Sequence, residues 1–208
     1  MTASEALLRV LYDPAAWADA AWFERFGVDV RWPQRLANRV LLRHAPISGM
    51  RLDACTCARS KWLVENWDEL PALVYLVGAR LARDAIASRN GLLSLRWRGA
   101  HFVALPFYAP SGDARSFRTI GWHETDLDIH DLALARGTAC LRDAMLGTAP
   151  GWKDRVRLRL PPSPLVDGNS DPVHSHESGG AQPNRRLEQI ASLHLLKFAA
   201  SFHHAQKY

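Results

Sequence analysis

At 208 residues with 48% hydrophobic content, the chain is long enough to bury one sizeable core. Its net charge of +5 and pI near 9.4 come from 26 basic and 21 acidic residues interleaved along its whole length, so charge alone does not mark a nucleic-acid binder. No window reaches the roughly 20 apolar residues that a membrane helix needs, and "MTASEALLRVLYDPAAWADAA" lacks the positive start and unbroken apolar run of an export signal, so a soluble, unexported protein is expected.

Thr2 and Glu5 form a candidate capping box ahead of "ALLRVLY". Asp13-Pro14 supplies an N-cap and first-turn proline for a second helix, with Trp17, Ala20, Ala21 and Phe26 near one face and Gly27 ending it. From Pro33, "PQRLANRVLLRH" spaces Leu36, Val40 and Leu41 as one helical stripe. After a loop with Pro46 and Gly49, "ARSKWLVENW" and "LPALVYLVGARLARDAIAS" read as further helices. The second of these carries Leu73, Leu76, Val77, Leu81 and Ile86 on one broad side and stops at Asn90-Gly91.

"LLSLRWRGAHFVALPF" alternates over Leu93, Leu95 and Trp97, which predicts a hairpin turning at Gly99, with a helix pair as the alternative over 92–107. Helical spacing resumes from Thr125 to Met145 through Leu127, Leu134, Ala135, Leu141 and Met145. "WKDRVRLRLP" alternates strictly, with Val156, Leu158 and Leu160 opposite Arg155, Arg157 and Arg159, and predicts an edge strand with a basic outer row. Residues 161–184, rich in Pro, Gly, Ser and His, are expected to form a flexible loop, and "RRLEQIASLHLLKFAASFHHA" an amphipathic helix with Leu187, Ala191, Leu195, Phe198 and Phe202 inward. The expected architecture is mainly α: one irregular helical core domain over 1–160, with a small hairpin or edge strand, the 161–184 loop, and a C-terminal helix over 185–208 packing on the core.

The densest group of chemically capable side chains is "WHETDLDIHD", residues 122–131, with His123, His130, Glu124, Asp126, Asp128 and Asp131. A metalloprotease helix needs two histidines four residues apart, and here they are seven apart. A looser metal site would need a third or fourth ligand that nothing nearby supplies. Thr125 and Asp128 instead suit a helix start, where acids accept from unpaired backbone N–H groups and oppose the helix dipole. His174, His176, His203 and His204 lie in the expected loop and tail and make poor specific ligands. Cys55, Cys57 and Cys140 lack the spaced pairs of a structural zinc site and are expected as free thiols in a reducing compartment. No nucleophile elbow or phosphate-cradling glycine loop is present, so no catalytic residue, metal or cofactor is assigned.

Residues 70–162, through "LPALVYLVGARLARDAI", "LALARGTACLRDAM" and "PGWKDRVRLRLPP", resemble the YscK/SctK family, the cytosolic K subunit of bacterial type III secretion systems. Chain length, basic composition, the tryptophan ahead of the basic strip and the Arg157–Pro161 run agree with it. The resemblance implies a mainly helical, non-catalytic adaptor at the cytosolic face of the inner-membrane apparatus. It would lie between the forkhead-associated-like domain of the ring protein (D subunit) and the sorting-platform pod protein (Q subunit), and through them serve the secretion ATPase complex. Candidate partner-binding residues are Glu124, Asp126, Asp128 and Asp131, with Arg155, Arg157 and Arg159 as a second charged set; neither nucleic acid nor membrane insertion is expected. Thr125-x-x-Asp128 also has the form that forkhead-associated domains read when the threonine is phosphorylated. The alternative reading is a nucleic-acid-binding regulator using the three arginines as phosphate contacts, with affinity falling steeply with salt.

Overall fold

A computed structural model describes residues 2–29, 31–45, 47, 50, 55, 57–106, 127–162 and 182–207, the backbone alone over 182–188. The described residues form ten α-helices joined by turns, with no strand among them, as the mainly α expectation requires. They fall into two compact units, one comprising 1–71 with 147–168, the other 72–146 with 169–208.

The first unit begins with α1 (Ala3–Tyr12), where the capping box is present: Thr2 Oγ1 accepts from Glu5 N and the Glu5 carboxylate accepts from Thr2 N. Asp13-Pro14 starts only a 3-10 turn, Pro14–Ala16. The Asp13 carboxylate does not cap that turn; it accepts from Gln34 Nε2 at 2.6 Å and Asn38 Nδ2 at 2.7 Å, tying the turn to α3 (Gln34–His44). The α-helix proper, α2 (Ala20–Arg25), starts after Asp19, whose side chain accepts from Ala21 N, and Gly27 closes it at φ +64°. In α3 it is Ala37 and Leu41 that are buried, while Leu36 is exposed, a shift of the expected stripe. α4 (Ala58–Glu65) follows, capped by Cys57.

α9 corrects the predicted edge strand: Pro150–Arg159 is helical, with Pro150 at the first helical position. The alternation was real but coincidental. On a helix Trp152, Arg155, Val156 and Arg159 recur at i, i+3, i+4 and i+7, so they share one face, and the first three are buried. That face joins a tryptophan cluster in which Trp17 meets Trp67 edge-on at 5.0 Å and Trp67 lies 6.2 Å from Trp152. Trp22 donates from Nε1 to Leu160 O at 2.8 Å, and Asp19 N donates to Leu158 O, so the end of α9 is hydrogen-bonded to the start and core of α2.

The second unit is built on α5 (Leu70–Leu81), whose residues from Ala72 onward belong to it. Leu73, Val74, Leu76, Val77 and Ala79 are all buried, so more than one side of this helix is covered. Its neighbour α8 (Ile129–Ala144) crosses it with backbones in contact. A Cβ at Gly78 would stand 1.6 Å from Ala133 O, and one at Gly137 would stand 1.9 Å from Val74 O. α6 (Arg83–Ser88) continues after Ala82 and ends at Asn90 in the left-handed region, φ 56°. The predicted hairpin is then replaced by a 3-10 turn, Gly91–Ser94, and α7 (Trp97–Ala104). The helix-pair alternative is the nearer one. Leu95, Gly99, Phe102 and Val103 are buried at helical spacing, whereas two residues of the alternating set, Leu93 and Trp97, face solvent.

α10 (Gln182–Ala205) begins within the stretch expected as loop, and residues 163–181 lie outside the described residues. It packs along α8 through Ser192, Leu195, Leu196, Ala199 and Ala200, with Cys140 Sγ 3.9 Å from Ser192 O. Phe198 and Phe202 take the expected side only in part: Phe198 is exposed by a third or more, yet both rings lie against Phe102, at 5.6 and 5.1 Å.

Candidate docking surface

The acidic stretch is described from Leu127 onward; His123, Glu124, Thr125 and Asp126 lie outside the described residues. Helix α8 begins at Ile129, and its N-cap is Asp128, whose carboxylate accepts from His130 N at 3.3 Å. The helix expected to start at Thr125, with Asp128 in its first turn, starts later: Asp128 is the N-cap itself, Leu127 precedes it outside the helix, and Thr125 is not among the described residues. Asp128 and Asp131 are exposed, on the solvent side of the first turn, where the helix dipole favours negative charge. Behind them Leu127 and Ile129 pack on the core cluster of Ala79, Ile86, Leu132 and Ala133. Leu134, expected inward, is only half-buried; the buried face of α8 runs through Leu132, Ala133, Gly137, Cys140, Leu141 and Ala144.

His130 is half-buried and has a specific partner. Its Nδ1 is 2.8 Å from the Tyr75 hydroxyl, and the two rings stack at 5.7 Å. Burial raises the Tyr75 phenol above its ordinary value, with Arg96 opposing that shift and Asp128 adding to it. Arg89 Nη1 donates to Leu127 O at 2.9 Å and so ties the entry of α8 to the end of α6. Two carboxylates therefore stand on an anchored helix start, held at fixed spacing by the core beneath.

The second candidate set behaves differently. Arg155 is 4% exposed and donates from Nη1 to Gly151 O at 2.9 Å and from Nη2 to Leu11 O at 3.0 Å. Arg159 donates to three carbonyls, Trp67 O, Trp17 O and Asp68 O, at 3.1, 2.6 and 2.7 Å. Burial lowers both guanidinium pKa values from the usual arginine range; Asp154 opposes the shift at Arg155 and Asp68 at Arg159. Arg157 lies with Cζ 5.5 Å from the centre of the Trp22 ring. The expected outward basic row does not form: two of its three members bond to backbone carbonyls of the first unit.

Among the described residues no group of three or more His, Cys, Asp or Glu side chains is placed to hold a metal ion. His203 is buried with its ring 6.2 Å from that of His204, while His174 and His176 lie outside the described residues. The cysteines split by environment. Burial alone would raise the Cys57 thiol, but the Ser60 hydroxyl, the backbone N–H groups of Ser60 and Arg59, and the Arg59 charge outweigh it and hold the pKa below its ordinary value. Cys140 is fully buried, and that burial pushes it up to about 12. Iodoacetamide at neutral pH is therefore expected to label Cys57 in the native protein and Cys140 only after denaturation. Peptide mapping by mass spectrometry checks this, and rapid native labelling of Cys140 would contradict the α8–α10 packing.

No described helix is long and apolar enough to cross a membrane. The described residues are helices and turns, with an acidic helix start anchored on the core of the second unit. Residues 7–207 match the family model described as bacterial type III secretion apparatus protein (OrgA_MxiK), nearly the whole chain. The chain belongs to that family, the one to which the YscK/SctK resemblance pointed. No curated protein and no solved structure matches it.

Proposed function

We propose that this apparatus protein is a non-catalytic cytosolic adaptor, joining the ring protein's cytosolic domain (D subunit) to the pod protein (Q subunit) and so to the secretion ATPase complex. The observation that carries the reading is the family match over residues 7–207. The surface assigned to the ring protein is the acidic entry to α8, Glu124, Asp126, Asp128 and Asp131, of which Asp128 and Asp131 are exposed. Charge at such a rim mainly sets encounter rate and register. Arg157, half-buried over the Trp22 ring, remains a candidate contact in the first unit, whereas Arg155 and Arg159 are bonded to backbone carbonyls.

The test is co-purification of the full chain with the D-subunit cytosolic domain and, separately, with the Q subunit. Charge reversal at Asp126 and Asp128, as D126K and D128K, is expected to weaken D-subunit capture about tenfold and to leave Q-subunit capture intact. Because a reversed cap also costs helix stability of about 1 kcal/mol, D128N serves as a control that keeps a capping oxygen. Unchanged capture by a folded double variant removes the acidic patch from the interface, and failure to bind either partner removes the adaptor reading.

A further inference from the structure

The 3-10 turn Gly91–Ser94 and the first turn of α7 make a protruding apolar tip. Leu93 is 98% exposed, Trp97 63% and Leu92 36%. The tip is held outward by what lies beneath it. Gly91 is buried so closely that a Cβ there would stand 2.1 Å from Ile129 Cδ1, and Leu95 is also buried, so between these two anchors Leu93 is turned into solvent and Leu92 is exposed by about a third. Along residues 91–101 the charged side chains are Arg96 and Arg98. Arg96 is exposed, Arg98 lies with Cζ 5.3 Å from the Trp97 ring centre, and His101 is exposed one turn further along α7. The sequence contains no Asp or Glu from 85 to 112; among the described residues Asp128, at the start of α8, is an opposing charge that acts on the same Tyr75 hydroxyl as Arg96.

We propose that this tip is a peripheral contact with an anionic lipid bilayer, Leu92, Leu93 and Trp97 entering the interfacial layer while Arg96 and Arg98 lie against lipid phosphates. The shape selects a bilayer over a protein. A convex knob offers no groove for a peptide and, with no strand among the described residues, no strand edge to extend, whereas the bilayer interface accepts a protrusion of any outline. The composition agrees, since tryptophan prefers the headgroup layer and arginine beside it gains from the negative surface. Two leucines and one tryptophan give a weak, reversible contact that strengthens when several copies act together.

The test is co-sedimentation of the full chain, without secretion partners, with vesicles of phosphatidylcholine alone or mixed with phosphatidylglycerol. Binding to the anionic vesicles, reduced by salt and absent from the neutral ones, is expected. Leu93→Asp is expected to lower it about tenfold, and Trp97→Ala and the pair Arg96→Glu with Arg98→Glu by a similar factor. Leu93 is almost wholly exposed, so that variant retains the fold, which its melting curve verifies. The inference is overturned if anionic vesicles do not bind the chain, or if binding survives both Leu93→Asp and Trp97→Ala. Because the assay contains neither the D nor the Q subunit, its outcome is independent of the adaptor reading.

Discussion

Gly137→Ala is expected to destabilise the protein by about 3 kcal/mol or more, and Gly78→Ala by a similar amount. In an ordinary helix interior the same change would stabilise by up to about 1 kcal/mol, because alanine is the better helix former. The sign reverses because each added methyl lands on backbone. At Gly137 it meets Val74 O at 1.9 Å and the Val74 carbonyl carbon at 2.7 Å; at Gly78 it meets Ala133 O at 1.6 Å and Gly137 N at 2.6 Å. No rotamer can relieve such overlaps, so α5 and α8 must separate, and their separation opens voids around Leu132, Ala133 and Val74, all buried to 1% or less. For a chain of this size the melting temperature should fall by about 10 °C. The double variant should cost clearly less than the sum of the two, since helices already forced apart accommodate the second methyl. Gly27→Ala provides the contrast: nothing lies within 4 Å of its Cβ position, and the cost there is limited to the strain of φ +64°, about 1–2 kcal/mol. Urea and thermal denaturation measure all four variants; a Gly137→Ala protein as stable as the parent would mean that the crossing is not this close.

Arg159→Met is expected to cost about 2–3 kcal/mol, the second largest effect. The guanidinium is a three-way junction that holds the carbonyls of Trp17, Trp67 and Asp68 in place around the tryptophan cluster. Methionine retains the apolar stem and removes every donor, leaving three acceptors that fold against an apolar side chain. Two opposing effects keep the cost below the sum of three lost bonds: the arginine's own desolvation is recovered, and the Asp68 carbonyl can turn to water. Arg159→Lys should recover little, because one ammonium cannot reach three carbonyls set in a fork geometry. Arg155→Met should cost about 1–2 kcal/mol, with Leu11 O the carbonyl left without its donor. In contrast Asp68→Asn, which weakens the exposed pair with Arg9 at 3.0 Å, should stay within about 1 kcal/mol and lose its effect at high salt. Equal salt sensitivity of the Arg159 and Asp68 variants in urea titrations would overturn the internal role assigned to Arg159.

The arginine effect sits where the sequence was hardest to read. Arg155, Arg157 and Arg159 alternate with Val156, Leu158 and Leu160, and a period of two is the ordinary mark of a strand. The competing signal was local: Pro150 at a first helical position, and Trp152, Arg155, Val156 and Arg159 at helical spacing if arginine is allowed to face inward. An inward arginine is uncommon because burying its charge is costly without hydrogen bonds, and apart from Gly151 O the carbonyls that receive these come from residues 11, 17, 67 and 68, far away in the chain. The stretch 92–107 misled for the mirror reason. Leu93, Leu95 and Trp97 alternate as one face of a strand would, but only Leu95 is buried and the other two face solvent.

Local chemistry, by contrast, was readable wherever a signal and its partner lie within a few residues. The Thr2–Glu5 capping box, the stops at Gly27 and Asn90, the apolar run from Leu70 and the acidic start of α8 all follow from side chains meeting backbone within one turn. So did the helical class and the family, because the spacing of short apolar and basic segments survives without any knowledge of what they touch. What the tertiary structure alone decided is which face of each helix is inside. Gly78 against Ala133, Arg159 against Trp17 and Trp67, and Leu93 left in solvent are set by segments brought together from tens of residues apart. Helical periodicity fixes relative positions around an axis, but the rotation of that axis toward a neighbour is chosen only when the neighbour packs against it.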